Sequence, residues 1–165
     1  MSQPTLIHLP VDDSVLYFAF GSNLQRHQMV SRCPSATVVG AASLAGYRLA
    51  FAGYSVTRGG AGVATVVEDP YGWTLGVVYR ISYSDLMRLD RYEGHPVAYC
   101  RTPLTVRLRE GGGDVEASVY IKDDDINLPT EDYAMAILDG YREHGLDFDP
   151  LLQALEEASL YTAHP

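Results

Sequence analysis

The stretch Tyr17-Phe18-Ala19-Phe20-Gly21-Ser22-Asn23-Leu24 decides the fold, because an apolar run stops there at a glycine followed by two small polar residues. A strand hands over to a tight turn in this way. Glycine reaches backbone angles closed to other residues and lets a ligand approach the main chain, while serine and asparagine bond locally and cap a following helix. Consecutive N–H groups in such a turn form a concavity suited to a carboxylate or an oxyanion. An ordinary strand-to-helix connection would read the same way, since glycine turns are common.

Outward from this turn, Ser14 to Phe20 reads as the first strand and Leu24 to Ser31 as a short helix that Pro34 ends. Thr37–Ser43, Tyr47–Ala52, Val63–Glu68 and Leu75–Ile81 are rich in Val, Ala, Tyr and Ile between glycine-bearing breaks, as expected of short strands in a curved sheet. Ser84 is placed to cap a helix reaching about Tyr92, with Leu86 and Leu89 on its buried side. Tyr99–Leu108 and Val115–Lys122 flank Gly111-Gly112-Gly113, a hairpin signal. Thr130 is placed to cap a helix through His144 that shares Tyr133, Ile137 and Tyr141 on one face, with Gly145 as its stop. Asp149 is expected to cap a last helix that buries Leu151, Leu155 and Ala158. About seven strands with separated helices argue for an α+β fold. Met1–Asp13 shows little periodicity and reads as a flexible leader, leaving residues 14–165 as a single domain.

Twelve Lys plus Arg against twenty-one Asp plus Glu give a formal net charge of -9, which repels phosphate backbones and anionic membrane surfaces. Nucleic acid is excluded as a natural partner on that ground. No apolar stretch approaches the ~20 residues that cross a bilayer, so no membrane association is expected. Cys33 and Cys100 form neither a disulfide framework nor a metal motif, which fits a reducing cytoplasm. Cys100 reads as a core residue and Cys33 as a partly exposed thiol. The five histidines lack metal-ligand spacing, and neither a metal nor another cofactor is expected.

A second stretch, Leu86-Met87-Arg88-Leu89-Asp90-Arg91-Tyr92-Glu93-Gly94-His95-Pro96, is followed by Tyr99 and Arg101. An aromatic strand ending in Gly-Ser-Asn-Leu, then a short helix ending Leu-Asp-Arg-Tyr-Glu-Gly, resembles the gamma-glutamylcyclotransferase-like family, also called AIG2-like. Arg32-Cys33-Pro34-Ser35-Ala36, Gly46-Tyr47-Arg48-Leu49 and Pro129, Tyr133, Gly140, Gly145 and Leu146 extend the likeness from about Val15 to Leu146. It implies a small, mostly antiparallel β-barrel with helices packed around it. It also implies a cofactor-independent conversion of a γ-glutamyl amide into 5-oxoproline and a free amine, and it leaves a homodimer open.

That chemistry needs a base for the substrate's α-amine, an acid for the leaving amine, fixed donors for the oxyanion and an anchor for the α-carboxylate. By the resemblance Glu93 is the catalytic acid and base, and Tyr92, Pro96 and Tyr99 would surround it with apolar bulk and push its pKa up. The resemblance likewise gives substrate binding to Phe20, Gly21, Ser22, Asn23, Leu24, Tyr99, Tyr120 and Tyr133. Phe20 departs from the family's usual tyrosine and lacks its hydroxyl. Tyr17, three residues back in a strand, is expected to face away from Phe20 and not to replace it.

Other readings are weaker. Ser22 lacks the second glycine of a nucleophile elbow, and Arg58-Gly59-Gly60-Ala61-Gly62 precedes a strand, so it reads as a flexible loop at a pocket mouth rather than a phosphate loop. Asp123-Asp124-Asp125 has no calcium-loop spacing and reads as a solvated turn. A noncatalytic ligand- or partner-binding domain of the same fold is the alternative to an enzyme.

Overall fold

In the computed structural model, which describes residues 13–163, the chain runs β1 (Ser14–Ala19), α1 (Arg26–Arg32), β2 (Thr37–Ser55), β3 (Ala61–Ser82), α2 (Tyr83–Glu93), β4 (Cys100–Leu108), β5 (Asp114–Ile121), α3 (Glu131–Glu143) and α4 (Asp149–Ala163). The proposed leader, apart from Asp13, lies outside the described residues. Short 3-10 turns at Ser22–Leu24 and Val56–Arg58 follow β1 and β2.

The strands close a barrel in the order β1-β3-β2-β4-β5, and the fold is α+β. Every seam is antiparallel except the last, where β1 runs parallel to β5 with Tyr17 opposite Ser118. Phe18, Ala19, Val77, Val78 and Val119 lie fully buried in the core that this closure creates.

Five strands stand where about seven were expected. The four central segments fuse into two long strands, β2 and β3, whose pairing slips between Val38 and Gly40, between Ala45 and Tyr47, and between Ala52 and Ser55. Gly46, at φ +84°, absorbs the middle slip, so the glycine bends the strand without ending it. The hairpin of β4 and β5 forms as expected, with Gly111 and Gly112 at positive φ between the strands.

The helix starts shift by small steps. Ser82, not Ser84, caps α2, its hydroxyl accepting from the Asp85 N–H at 3.1 Å. Asp149 is the first residue of α4 rather than its cap, and its N–H donates to Asp147 Oδ1 at 3.0 Å. Thr130 caps α3 as expected, and Tyr133, Ile137 and Tyr141 are buried on one face. The cysteines reverse their expected places. Cys33 ends α1 in the core, where burial pushes its thiol up to about 11, while Cys100 opens β4 in an exposed position.

Helix α3 touches the turn after β1 at Gly140, where a Cβ would stand 2.5 Å from Leu24 Cβ. Alanine gains about 1 kcal/mol of helix propensity over glycine, but overpacking a tight contact costs typically 1–3 kcal/mol. Gly140→Ala is therefore expected to destabilise the protein by up to about 2 kcal/mol in chemical unfolding. A stabilised variant would show that α3 and the turn are not in close contact.

Candidate active site

Where β1 ends, the alternation of a strand ends too. Phe20 lies past Ala19, the last residue of β1, so its side chain is no longer bound to the face opposite Tyr17. Tyr17 and Phe20 both border one cavity of about 410 Å³, which corrects the expectation that they face apart. Gly21, Ser22 and Asn23 form the next part of its wall.

This wall is fixed by side chains. Asn23 is buried; its Nδ2 donates to the Tyr17 hydroxyl at 3.1 Å, and its Oδ1 accepts from Arg32 Nη1 at 2.8 Å and Gln28 Nε2 at 3.2 Å. Gln28 Nε2 also donates to Ser22 Oγ at 2.8 Å. From behind, the Tyr79 hydroxyl lies 2.9 Å from the Asn23 carbonyl and 3.0 Å from that of Leu24. The N–H groups of Ser22 and Asn23, at the open start of the 3-10 turn, take no partner among the described residues. Gly21 has φ -113° and ψ -138°, outside the left-handed region. The requirement is space: a Cβ would lie 3.2 Å from Ala64 Cβ and 3.6 Å from the Tyr133 hydroxyl.

Opposite the turn, Ala64 of β3 organises two tyrosines. Its N–H donates to the Tyr133 hydroxyl at 3.0 Å, and its carbonyl accepts from the Tyr99 hydroxyl at 2.8 Å. Tyr133 thus accepts the backbone proton and keeps its own to donate, as Tyr17 does beside Asn23. Burial pushes the Tyr133 hydroxyl up to about 12 and the Tyr17 hydroxyl higher still, so both stay protonated at neutral pH.

Glu93 is the last residue of α2, and Gly94 at φ +68° ends the helix there. One turn back, Asp90 fastens α2 to the barrel. Its carboxylate accepts from Arg101 Nε at 2.8 Å and Nη2 at 3.2 Å on β4, and from the Tyr120 hydroxyl at 2.6 Å on β5. Glu93 itself has no hydrogen-bond or ion-pair partner among the described residues and is the one carboxylate bordering the cavity. Burial raises its pKa, and the nearby Arg32 guanidinium, which lies 4.0 Å above the Tyr92 ring, offsets part of that rise.

The cavity therefore gathers Glu93, Phe20, Gly21, Ser22, Asn23, Tyr99, Tyr120 and Tyr133 from among the expected site residues. Leu24 is not among its lining residues and is fully buried. Pro96 is exposed outside it, so the apolar shielding of Glu93 comes without it. Tyr17, Arg32 and Lys122 were not expected here. For Arg32 the signal was legible in hindsight, since it ends α1 one helix length after the turn it braces. Arg58, from the glycine-rich loop after β2, also borders the cavity.

Residues 17–142 match the family described as gamma-glutamyl cyclotransferase, AIG2-like. The chain belongs to that family. It is 32% identical over 141 residues to the bovine gamma-glutamylcyclotransferase, covering 83% of this chain and 75% of that one. The human gamma-glutamylcyclotransferase is 31% identical over 153 residues, or 89% and 81% of the two chains. A solved gamma-glutamyl cyclotransferase structure superposes with a TM-score of 0.78 at 29% identity, covering 86% of each chain. This member of the gamma-glutamyl cyclotransferase family is accordingly an enzyme of that type.

The raised pKa of Glu93 has a consequence for stability. The native state keeps a proton that the unfolded chain has released, so stability falls as pH rises past the ordinary value of 4.5, and the loss is complete above the raised native value. Glu93→Gln removes the ionisation. Thermal unfolding is expected to show the variant more stable than the parent at pH 7, with the difference vanishing near pH 4. An equal difference at both pH values would mean that the carboxyl is not desolvated.

Proposed function

We propose that this enzyme converts a γ-glutamyl amide into 5-oxoproline and a free amine, with Glu93 moving the proton. The observation that carries the reading is the placement of Glu93. The one carboxylate of the cavity, raised by burial, shares it with a turn whose Ser22 and Asn23 N–H groups are open.

The substrate α-carboxylate lies against those N–H groups and takes two backbone donors. The α-ammonium then faces Glu93, which accepts its proton; a carboxylate whose pKa is lifted toward neutrality does this with less driving-force penalty. The freed amine attacks the γ-carbonyl carbon of the same molecule. Holding the chain folded exploits the high effective molarity of a tethered nucleophile. The hydroxyl protons of Tyr133 and Tyr17 are the available donors for the oxyanion, and Tyr17 supplies a hydroxyl in a cavity where Phe20 has none. As the tetrahedral centre collapses, the old C–N bond breaks while Glu93 gives its proton to the departing nitrogen and then takes the extra proton from the ring nitrogen, which passes on to the released amine as its ammonium proton. No water is consumed.

Two free cysteines fit a reducing compartment, and we place the enzyme in the cytoplasm. Among the described residues no helix is long and apolar enough to cross a membrane.

Glu93→Gln should keep the fold and ligand binding and lower single-turnover 5-oxoproline formation by about 100-fold or more. Activity within about tenfold of the parent, ~1.4 kcal/mol of transition-state stabilisation, would reject Glu93 as the base. An N-acetylated γ-glutamyl substrate should not react, since its nucleophile is blocked. In oxygen-18 water the product should be unlabelled 5-oxoproline; labelled glutamate as the first product would show that water attacks instead.

A further inference from the structure

Tyr17, Tyr99, Tyr120 and Tyr133 all border the cavity, and their hydrogen bonds sort their hydroxyl protons into two kinds. Tyr17 and Tyr133 accept, from Asn23 Nδ2 and from the Ala64 N–H, and keep a proton to donate. Tyr99 and Tyr120 do the reverse. The Tyr99 hydroxyl donates to the Ala64 carbonyl at 2.8 Å, and the Tyr120 hydroxyl donates to Asp90 Oδ1 at 2.6 Å. A phenol carries one proton, so these two oxygens have only lone pairs left to offer a ligand.

The Tyr120 proton is committed by groups from three elements. Arg101 and Tyr120 stand opposite each other in the pairing of β4 with β5, so their side chains leave the same face of the sheet and both reach Asp90 on α2. Arg101 gives Asp90 two N–H bonds, from Nε at 2.8 Å and from Nη2 at 3.2 Å. A carboxylate only accepts, so the proton of the third bond belongs to Tyr120. Burial, and after it the bond to Asp90, hold the Tyr120 hydroxyl far above its ordinary range, and it stays protonated at neutral pH. Asp90 is not among the residues lining the cavity, and Arg101 meets its charge, so it reaches the cavity only through Tyr120. Glu93 follows Asp90 by three residues on the same helix, which puts the two side chains on one face.

An α-ammonium brings three N–H donors, and Glu93 receives one of them. We propose that Asp90 is a positioning residue that holds the Tyr120 hydroxyl proton away from the cavity, so that the Tyr120 oxygen accepts a second N–H of the substrate α-ammonium. This rests on the cyclotransferase reading and adds how the nucleophile is held. With its proton turned the other way, Tyr120 would set an O–H donor against an ammonium donor, and Asp90 removes that orientation. When Glu93 has taken its proton, the neutral amine keeps an N–H on Tyr120, which stops it from turning while its lone pair meets the γ-carbonyl carbon. Donation to the oxyanion stays with Tyr17 and Tyr133, whose protons are free.

The test compares γ-glutamylalanine with glutarylalanine, which keeps both carboxylates and the amide but has hydrogen in place of the α-ammonium. Calorimetric titration into Glu93→Gln protein, which slows turnover, should favour the ammonium compound by about tenfold or more, the scale of a charge-assisted hydrogen bond. Adding Tyr120→Phe, which leaves the pair of Asp90 and Arg101 in place, should lower that ratio by about tenfold. Asp90→Ala, which frees the Tyr120 proton to turn into the cavity, should lower it at least as far, and the two together should give the ratio of Tyr120→Phe alone, because Asp90 acts through that hydroxyl. Where Asp90→Ala does not fold, Asp90→Asn takes its place; its neutral oxygen holds the proton less firmly and should lower the ratio part of the way. Equal binding of the two compounds before these changes, or a ratio that survives Tyr120→Phe or the Asp90 variant, would overturn the proposal. A merely structural role would weaken both compounds together and leave the ratio unchanged, which also overturns it. If the parent enzyme forms no 5-oxoproline from γ-glutamylalanine, the cyclotransferase reading fails, and the titration still decides whether Tyr120 receives the ammonium.

Discussion

Barrel closure by β1 is the constraint on which the rest of this structure depends. A five-strand sheet left open would expose two edges and leave Tyr17, Phe18 and Ala19 in water; inserting β1 between β3 and β5 pairs both edges and buries all three. Parallel pairing with β5 fixes which end of β1 meets the rest of the barrel. The turn at Gly21-Ser22-Asn23 therefore emerges beside Ala64 of β3, and α3 closes over it at Gly140.

The site is built by fastening helices to this barrel with polar groups, not by the helices alone. Asp90 binds α2 to β4 and β5 through Arg101 and Tyr120, and so holds Glu93 one turn further on. Tyr133 and Tyr99 are positioned through the two backbone groups of one residue, Ala64. Such arrangements keep donors and the base in place before the substrate arrives, which is where electrostatic preorganisation gains its advantage over water. The same burial lifts the Glu93 pKa.

Much of the fold was legible in local signals. The strand of Tyr17 to Ala19, the hairpin around the three glycines and the Thr130-capped helix follow from alternation, turn chemistry and capping, which act over a few residues. Glycines at strand breaks look like strand ends in the sequence because a bulge and a turn use the same residue; only the continued pairing across Gly46 separates them. The exposures of Cys33 and Cys100 were inverted for a similar reason, since burial at an element's end depends on what packs over it.

By itself the sequence determined an acidic α+β chain, a glycine turn at the end of β1, and a glutamate next to the glycine that closes a short helix. Only the tertiary structure decided that Tyr17 and Phe20 share a cavity, that Arg32 braces Asn23, and that Arg32, Arg58 and Lys122 border the same space as Glu93. Periodicity and capping are properties of neighbours along the chain. Charge balance within a cavity belongs to residues brought from separate elements, so it exists only once the barrel has closed.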